Sequence, residues 1–416
     1  MNGQQARGIS ASSRISTILL QVCAAPDCDH FPTFASLSES EWSDLVARAI
    51  SKRVTFVLDR AIARSQTFSG QSIVLPKTCR DAIEEQRRRI KMSSFGHMIA
   101  LIEAVRFLKS HGIEPIALKG VRLAFKDYPD PQLRALRDLD LLVPAAHAER
   151  AQSAMIASGQ YAVAPWSDYY GIEFGHQLPE LVDQQHGISI EIHHRLNARD
   201  WAQEPQPVKM VADEAEAINI GGTLVRVPSM HANFLHLVEH ATLHHMFENG
   251  PITLTDLHFA AQSGAIDWPL LVAQAQAMGL MRALHLVAAL AMQHGATWVP
   301  DLLRQTPADV LDNLAICAQA AVRDESLTEH AAMLRGIAMR KGQSPGWKAA
   351  LQAALSPTPL KLASIMRVCG TNPLRWMAYP AWLVQRGRAY LAARRAVDSG
   401  DNSLREAATM RWLRDS

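Results

Sequence analysis

Apolar residues recur at helical spacing along most of this chain, and the texture changes once, in the middle. Residues 41–65 place Trp42, Leu45, Ala49, Val54 and Val57 near one stripe, which predicts a long amphipathic helix. Residues 80–110 carry a second helical pattern that closes on the basic last turn of "KSHG", with Gly112 as its stop. "SQTFSGQS" (65–72) reads as the loop between them.

The period then shortens. "IEPIAL" (113–118) is a short apolar run behind a glycine and suits a strand. A short helix through Val121 to Tyr128 follows, then the turn "YPDPQ". "ALRDLDLLVP" (135–144) is a second strand, and Pro144 and Gly159 punctuate a helix after it. "QYAVAP" (160–165) predicts a third strand, and "ISIEIHHRL" (188–196) alternates cleanly as a fourth. "INIGGTLVRVP" (218–228) predicts a strand pair turning at Gly221–Gly222. From a capping Ser229 the chain returns to helix, first to Asn249–Gly250 and then with breaks near Pro300, Ser344–Pro345, Pro357–Pro359 and Pro373.

The expectation is an α+β chain: a small mixed-sheet core embedded in helices, with an N-terminal helical region (1–94), an α/β core (95–228) and a C-terminal helical region (229–416).

Composition adds little to this. Hydrophobic content of 48% allows a sizeable core, and a net charge of +2 does not make nucleic acid an expected partner. From Lys361 onward ten Lys/Arg face four acids, a basic tail whose segment "NPLRWMAYPAWLVQRGRAYLAARR" (372–395) is amphipathic. A docked terminal helix, an acidic partner and a membrane surface are all compatible with it. Cys23, Cys28, Cys79, Cys317 and Cys369 are scattered without a CxxC pair, which fits reduced thiols in a cytoplasmic protein. "ISTILLQVCAA" near the start is interrupted by Gln21 and followed by Pro26, so it reads as a short helix. No apolar run reaches the roughly 20 residues of a spanning helix.

The candidate chemistry sits on two strands. Side chains alternate along a strand, so Asp138 and Asp140 share one face while Leu139 and Leu141 take the other. An exposed acidic strand face explains a lone D-x-D. However, Glu191 repeats the oddity, opposite Ile188, Ile190 and Ile192 and beside His193 in parity. If the strands are neighbours, Asp138, Asp140 and Glu191 converge, suited to metal ions or to one metal and a general base. "LKG" (118–120) ends a strand and begins a helix, where Gly120 lets a phosphate approach the backbone and Lys119 adds charge. Arg134 and Arg137 either neutralise the acids or meet a triphosphate.

Leu118–Lys119–Gly120, then Arg134…Asp138–Asp140–Val143, then Glu191–Ile192–His193 resemble the DNA polymerase β-like nucleotidyltransferase superfamily, and within it a bacterial group of uncharacterised nucleotidyltransferases. The resemblance covers roughly 95–260. It implies that Asp138, Asp140 and Glu191 hold Mg²⁺ or Mn²⁺, that Glu191 activates the acceptor, and that Lys119 and Gly120 lie by the phosphates. The implied co-substrate is a nucleoside triphosphate, ATP by expectation, and the implied acceptor is a hydroxyl of a small molecule, peptide or protein. One departure is Val121, where the superfamily often has Ser or Gly, so backbone amides, Lys119 or an arginine must grip the triphosphate. A catalytically silent member binding nucleotide or a partner is the alternative.

A third reading comes from "HLVEH", since His236, Glu239 and His240 match the inverted zinc-peptidase pattern H-x-x-E-H on a helix. On the nucleotidyltransferase reading the same helix lines the site, with His240 and His244 as polar contacts and Asp256 capping the next helix or orienting a histidine. His176 stays open, and His186 reads as an ordinary loop histidine.

Overall fold

The structure, a computed structural model, describes residues 14–324 apart from 30, 70–72, 166, 168–174, 198–204 and 265, and most of 357–415. The break near Ser344–Pro345 lies outside the described residues. The fold is α+β, with one mixed seven-stranded sheet set among helices.

Residues 14–24 form α1, whose Ile15, Ile18, Leu19, Val22 and Cys23 are buried. The stripe at 41–65 is buried as expected, but on two helices, α2 (Glu39–Ser51) and α3 (Thr55–Ser69). The break carries no glycine or proline. Arg53 takes φ 59°, and the Val54 N–H returns to the Ala49 carbonyl at 2.8 Å, a closing bond of the Schellman type. Because α3 continues to Ser69, residues 65–69 are helix, not loop. α4 (Lys77–Ser110) ends as predicted, with Gly112 at φ 70°.

Among the described residues seven strands follow: β1 (Ile116–Ala117), β2 (Asp138–Leu142), β3 (Tyr161–Val163), β4 (Leu181–Asp183), β5 (Ser189–His193), β6 (Glu216–Ile220) and β7 (Thr223–Val227). Their order is β3-β4-β5-β2-β1-β7-β6, with β2∥β5 and β1∥β7 parallel and the remaining pairs antiparallel. The β6–β7 turn is Gly221–Gly222, both at positive φ. Sequence reading missed β4, three residues behind Pro179 and too short to show a period, and α7 (Pro205–Asp213), whose first turn carries two prolines.

One sheet face carries Ala117, Leu139, Leu141, Ile190, Ile192, Val225 and Val227, sealed by α4 and by α6 (Ala145–Ala157). Burying each of these larger aliphatic side chains contributes about 1.5–3 kcal/mol. The other face bears Ile116, Leu118 and Leu142, covered in part by Ala232 of α8 (Met230–Glu239). The Ser229 side chain caps α8, as predicted. A separate and larger core joins α1–α3 to α8, to the helices of 252–321 and to Met410 and Leu413 near the chain end. Among the described residues, no helix is long and apolar enough to cross a membrane.

Candidate active site

The parallel register fixes the site. Asp138 stands opposite Ser189, Asp140 opposite Glu191 and Leu142 opposite His193. All six share the face turned toward α8, because Leu139, Leu141, Ile190 and Ile192 occupy the other. The carboxylates therefore meet because the alternate residues of both strands are buried.

His193 Nε2 lies 2.8 Å from Asp140 Oδ1 and 3.1 Å from Glu191 Oε2. Both neighbours accept, so Nε2 carries the hydrogen and donates between them. Lys119 Nζ donates to the same Asp140 oxygen at 3.3 Å. Burial by itself would raise the Asp140 carboxyl, but the Lys119 charge and the His193 hydrogen bond hold it well below the usual range. Burial would lower His193, but its bonds to Asp140 and Glu191 raise it.

One ligand atom each from Asp140, Glu191 and His193 lies within 4.8 Å of the others. The two carboxylates are oxygen donors of the kind that fit Mg²⁺ or Mn²⁺, while His193 Nε2, which carries the hydrogen, orients them and is not itself a ligand. Asp138 shares the face but is not in that group; its Oδ2 accepts from the exposed Arg137 Nε at 2.8 Å.

Lys119 adopts φ 46° and ψ −109°, a backbone conformation that costs a non-glycine residue roughly 1–3 kcal/mol. That bend turns its ammonium toward Asp140. Gly120 follows at the first turn of α5 (Gly120–Arg122), which continues as a π turn, Leu123–Asp127. A Cβ on Gly120 would stand 2.8 Å from Leu136 Cδ2 and 4.0 Å from Arg134 Nη2. The glycine thus lets this turn pack against the segment leading into β2.

Arg134 is committed elsewhere. Its Nε and Nη2 donate to the two oxygens of Asp256 at 2.6 and 3.1 Å, and its Nη1 donates to the Ala135 carbonyl at 2.7 Å. The Tyr128 hydroxyl donates to Asp256 Oδ1 at 2.6 Å. Asp256 neither caps a helix nor orients a histidine. It lies inside the helix Ile252–Gln262 and ties it to the strand-entry segment, a long-range role invisible in local sequence.

Histidines form the wall above Lys119. α8 widens into a π turn at His240–His244. His240 Nε2 stands 3.1 Å from His245 Nε2, so one donates to the other. His176, whose carbonyl accepts the N–H groups of His194 and Arg195, sits beside His193 and His244, with ring centroids 5.4 and 6.5 Å away. Burial lowers His236, His240, His244 and His176, and the Lys119 charge lowers each further, so these imidazoles are neutral. His176 and His244 both fall to about 3. Helical spacing points to His240 and His244; His176 joins them only through the tertiary fold.

Among the described residues the H-x-x-E-H pattern assembles no zinc site. Glu239 is buried and accepts from Asn197 Nδ2 at 2.9 Å, and among the described residues no group of three converging ligands includes His236 or His240. His186 is a turn residue whose Nδ1 and backbone N–H both meet Asp183 Oδ2. It closes a second group with Glu103 and Asp183, at the edge of the sheet.

With this geometry in place, the family model described as uncharacterised nucleotidyltransferase matches residues 38–294. The chain belongs to that family. The match is wider than the 95–260 expected from motifs, because it takes in α2, α3 and the helices that wall the site. No curated protein matches this nucleotidyltransferase family member.

Proposed function

We propose that the protein is a nucleotidyltransferase of the DNA polymerase β-like superfamily, using a divalent cation, Mg²⁺ or Mn²⁺, and ATP as nucleotide donor. The observation that carries this reading is the register pair Asp140–Glu191, two carboxylates converging on one imidazole above a sheet strand, in a chain of the nucleotidyltransferase family.

Asp140 and Glu191 would hold the cation, with Asp138 contributing from the same strand face. When bound, it would neutralise charge on the triphosphate. The acceptor hydroxyl attacks the α-phosphorus, the bond to the β-phosphate breaks, pyrophosphate leaves, and the hydroxyl proton passes to Glu191. Arg137, exposed beside Asp138, and the Lys119 ammonium are the cations available to the phosphates, together with the backbone at Gly120. His193 fixes the two carboxylates, and His240 and His244 supply neutral donors and acceptors to the bound substrate. The acceptor is a hydroxyl of a small molecule, peptide or protein, and the setting is the cytoplasm.

One observation favours a silent nucleotide-binding member: Lys119 is already paired with Asp140, and Arg134 with Asp256. The two readings separate in one experiment. Wild type and the Asp140→Asn, Glu191→Gln double variant are incubated with ATP labelled at the α- or γ-phosphate, Mg²⁺ and fractionated small-molecule and peptide pools. The proposal expects α-label transfer with pyrophosphate release from the wild type only. Transfer that persists in the double variant sinks it, and nucleotide binding without transfer in any pool supports the silent reading.

A further inference from the structure

Between Glu329 and Asp398 the chain has eleven Lys/Arg and no acidic residue. Within that stretch, a 3₁₀ turn (Pro373–Ala378) runs directly into the helix Tyr379–Asp398. Its inner side is a small apolar cluster of Leu362, Ala378 and Trp382, distinct from the two large cores. The outer side is also apolar. Trp376 is 51% exposed and Met377 68%, and Leu374, Leu383, Val384 and Leu391 are exposed with them. Val384 and Leu391 are two helical turns apart and lie on the side opposite Trp382. Arginines interleave: the Arg375 guanidinium lies 5.7 Å from the Trp376 ring centre and that of Arg386 5.6 Å from Trp382, while Arg388 is exposed.

Each half of this surface excludes some occupants. Nucleic acid would match the arginines, but exposed leucine, methionine and valine gain nothing from phosphates and cannot stack as aromatics do on bases. A neutral apolar groove would take the leucines but would gain nothing from the positive charge of the segment. An anionic bilayer satisfies both, with apolar side chains sinking to the acyl boundary, arginines meeting lipid phosphates, and tryptophan at headgroup depth.

We propose that residues 373–391 are an interfacial binding surface for anionic lipid bilayers, lying in the headgroup plane without crossing it. This rests on exposure and charge complementarity, independently of the nucleotidyl-transfer reading.

The test is co-sedimentation of the full chain with large unilamellar vesicles, either of phosphatidylcholine or of phosphatidylcholine mixed with phosphatidylglycerol, at low and high salt. The expected result is partition onto the phosphatidylglycerol vesicles only, weakened by salt. Trp376→Ser with Met377→Ser and Val384→Ser should lower that partition about tenfold or more, and Arg388→Glu, on the same outer side as Val384 and Leu391, should lower it as well, with thermal unfolding and nucleotide binding unchanged. Three results overturn the proposal: no preference for phosphatidylglycerol, partition that ignores both variants, or a self-association that the serine variant abolishes in the absence of lipid. Binding to duplex DNA at the same salt that depends on the arginines but not on Trp376, Met377 and Val384 overturns it equally.

Discussion

Asp140 and Glu191 are direct partners across the parallel β2–β5 pair, and His193 Nε2 reaches both, at 2.8 and 3.1 Å. Replacing either carboxylate with its amide keeps the shape and removes the charge. Asp140→Asn and Glu191→Gln should each cut nucleotidyl transfer about a thousandfold or more while circular dichroism stays near wild type, and Asp140→Asn, which leaves Lys119 without its buried carboxylate, should also lower the unfolding midpoint. Asp138→Asn should cost less than Asp140→Asn, since Asp138 lies outside the converging group. Equal losses at both positions would show that Asp138 carries as much of the chemistry.

Arg134 discriminates between a structural and a phosphate-binding role. Its guanidinium and the Asp256 carboxylate are both largely buried, so Arg134→Met strands a buried carboxylate and should destabilise by about 3–5 kcal/mol in urea titration. Arg134→Met combined with Asp256→Leu should recover part of that loss. An Arg134→Met protein of wild-type stability that no longer binds triphosphate would refute the structural assignment.

Gly120 tests the fit of the turn beside the site. A Cβ there stands 2.8 Å from Leu136 Cδ2, so Gly120→Ala must displace that side chain. The expected cost is about 1–2 kcal/mol, relieved by Leu136→Ala in the double variant. A cost that Leu136→Ala leaves unchanged would place the strain in the backbone.

The neutral histidines set a pH dependence. His176 and His244 fall to about 3, chiefly through burial, below their ordinary value of 6.5. Between those limits the unfolded chain binds protons that the folded chain does not. Stability should therefore be complete above about pH 6.5 and fall as the pH drops toward 3. Urea midpoints measured from pH 7.5 to 4.5 check this, and His176→Asn with His244→Asn should flatten the slope. An unchanged slope would assign the loss to other groups.

The acids were legible in the sequence because strand parity is a local rule. Asp138 and Asp140 interrupt leucines, Glu191 interrupts isoleucines, and burying the apolar residues of both strands forces the acids to one face. What parity could not supply was the partner at each register position, which pairs Asp140 with Glu191 and Asp138 with Ser189. Arg134–Asp256 spans 122 residues, and nothing local in either segment announces it. His176 was equally hidden, since its place depends on backbone bonds from His194 and Arg195, just past β5, and on the fold of α8 above. The helix break at Arg53 has no glycine or proline to mark it, so the stripe at 41–65 read as one helix where the fold makes two.

On the proposed mechanism Asp140 and Glu191 hold a divalent cation for nucleotide. Mn²⁺ binding by electron paramagnetic resonance, with a non-hydrolysable ATP analogue present, tests it without knowledge of the acceptor. Wild-type protein should deplete the free Mn²⁺ signal beyond what the nucleotide alone removes, and the Asp140→Asn, Glu191→Gln variant should not. Equal depletion by folded wild type and folded variant would show that these two carboxylates do not hold the ion.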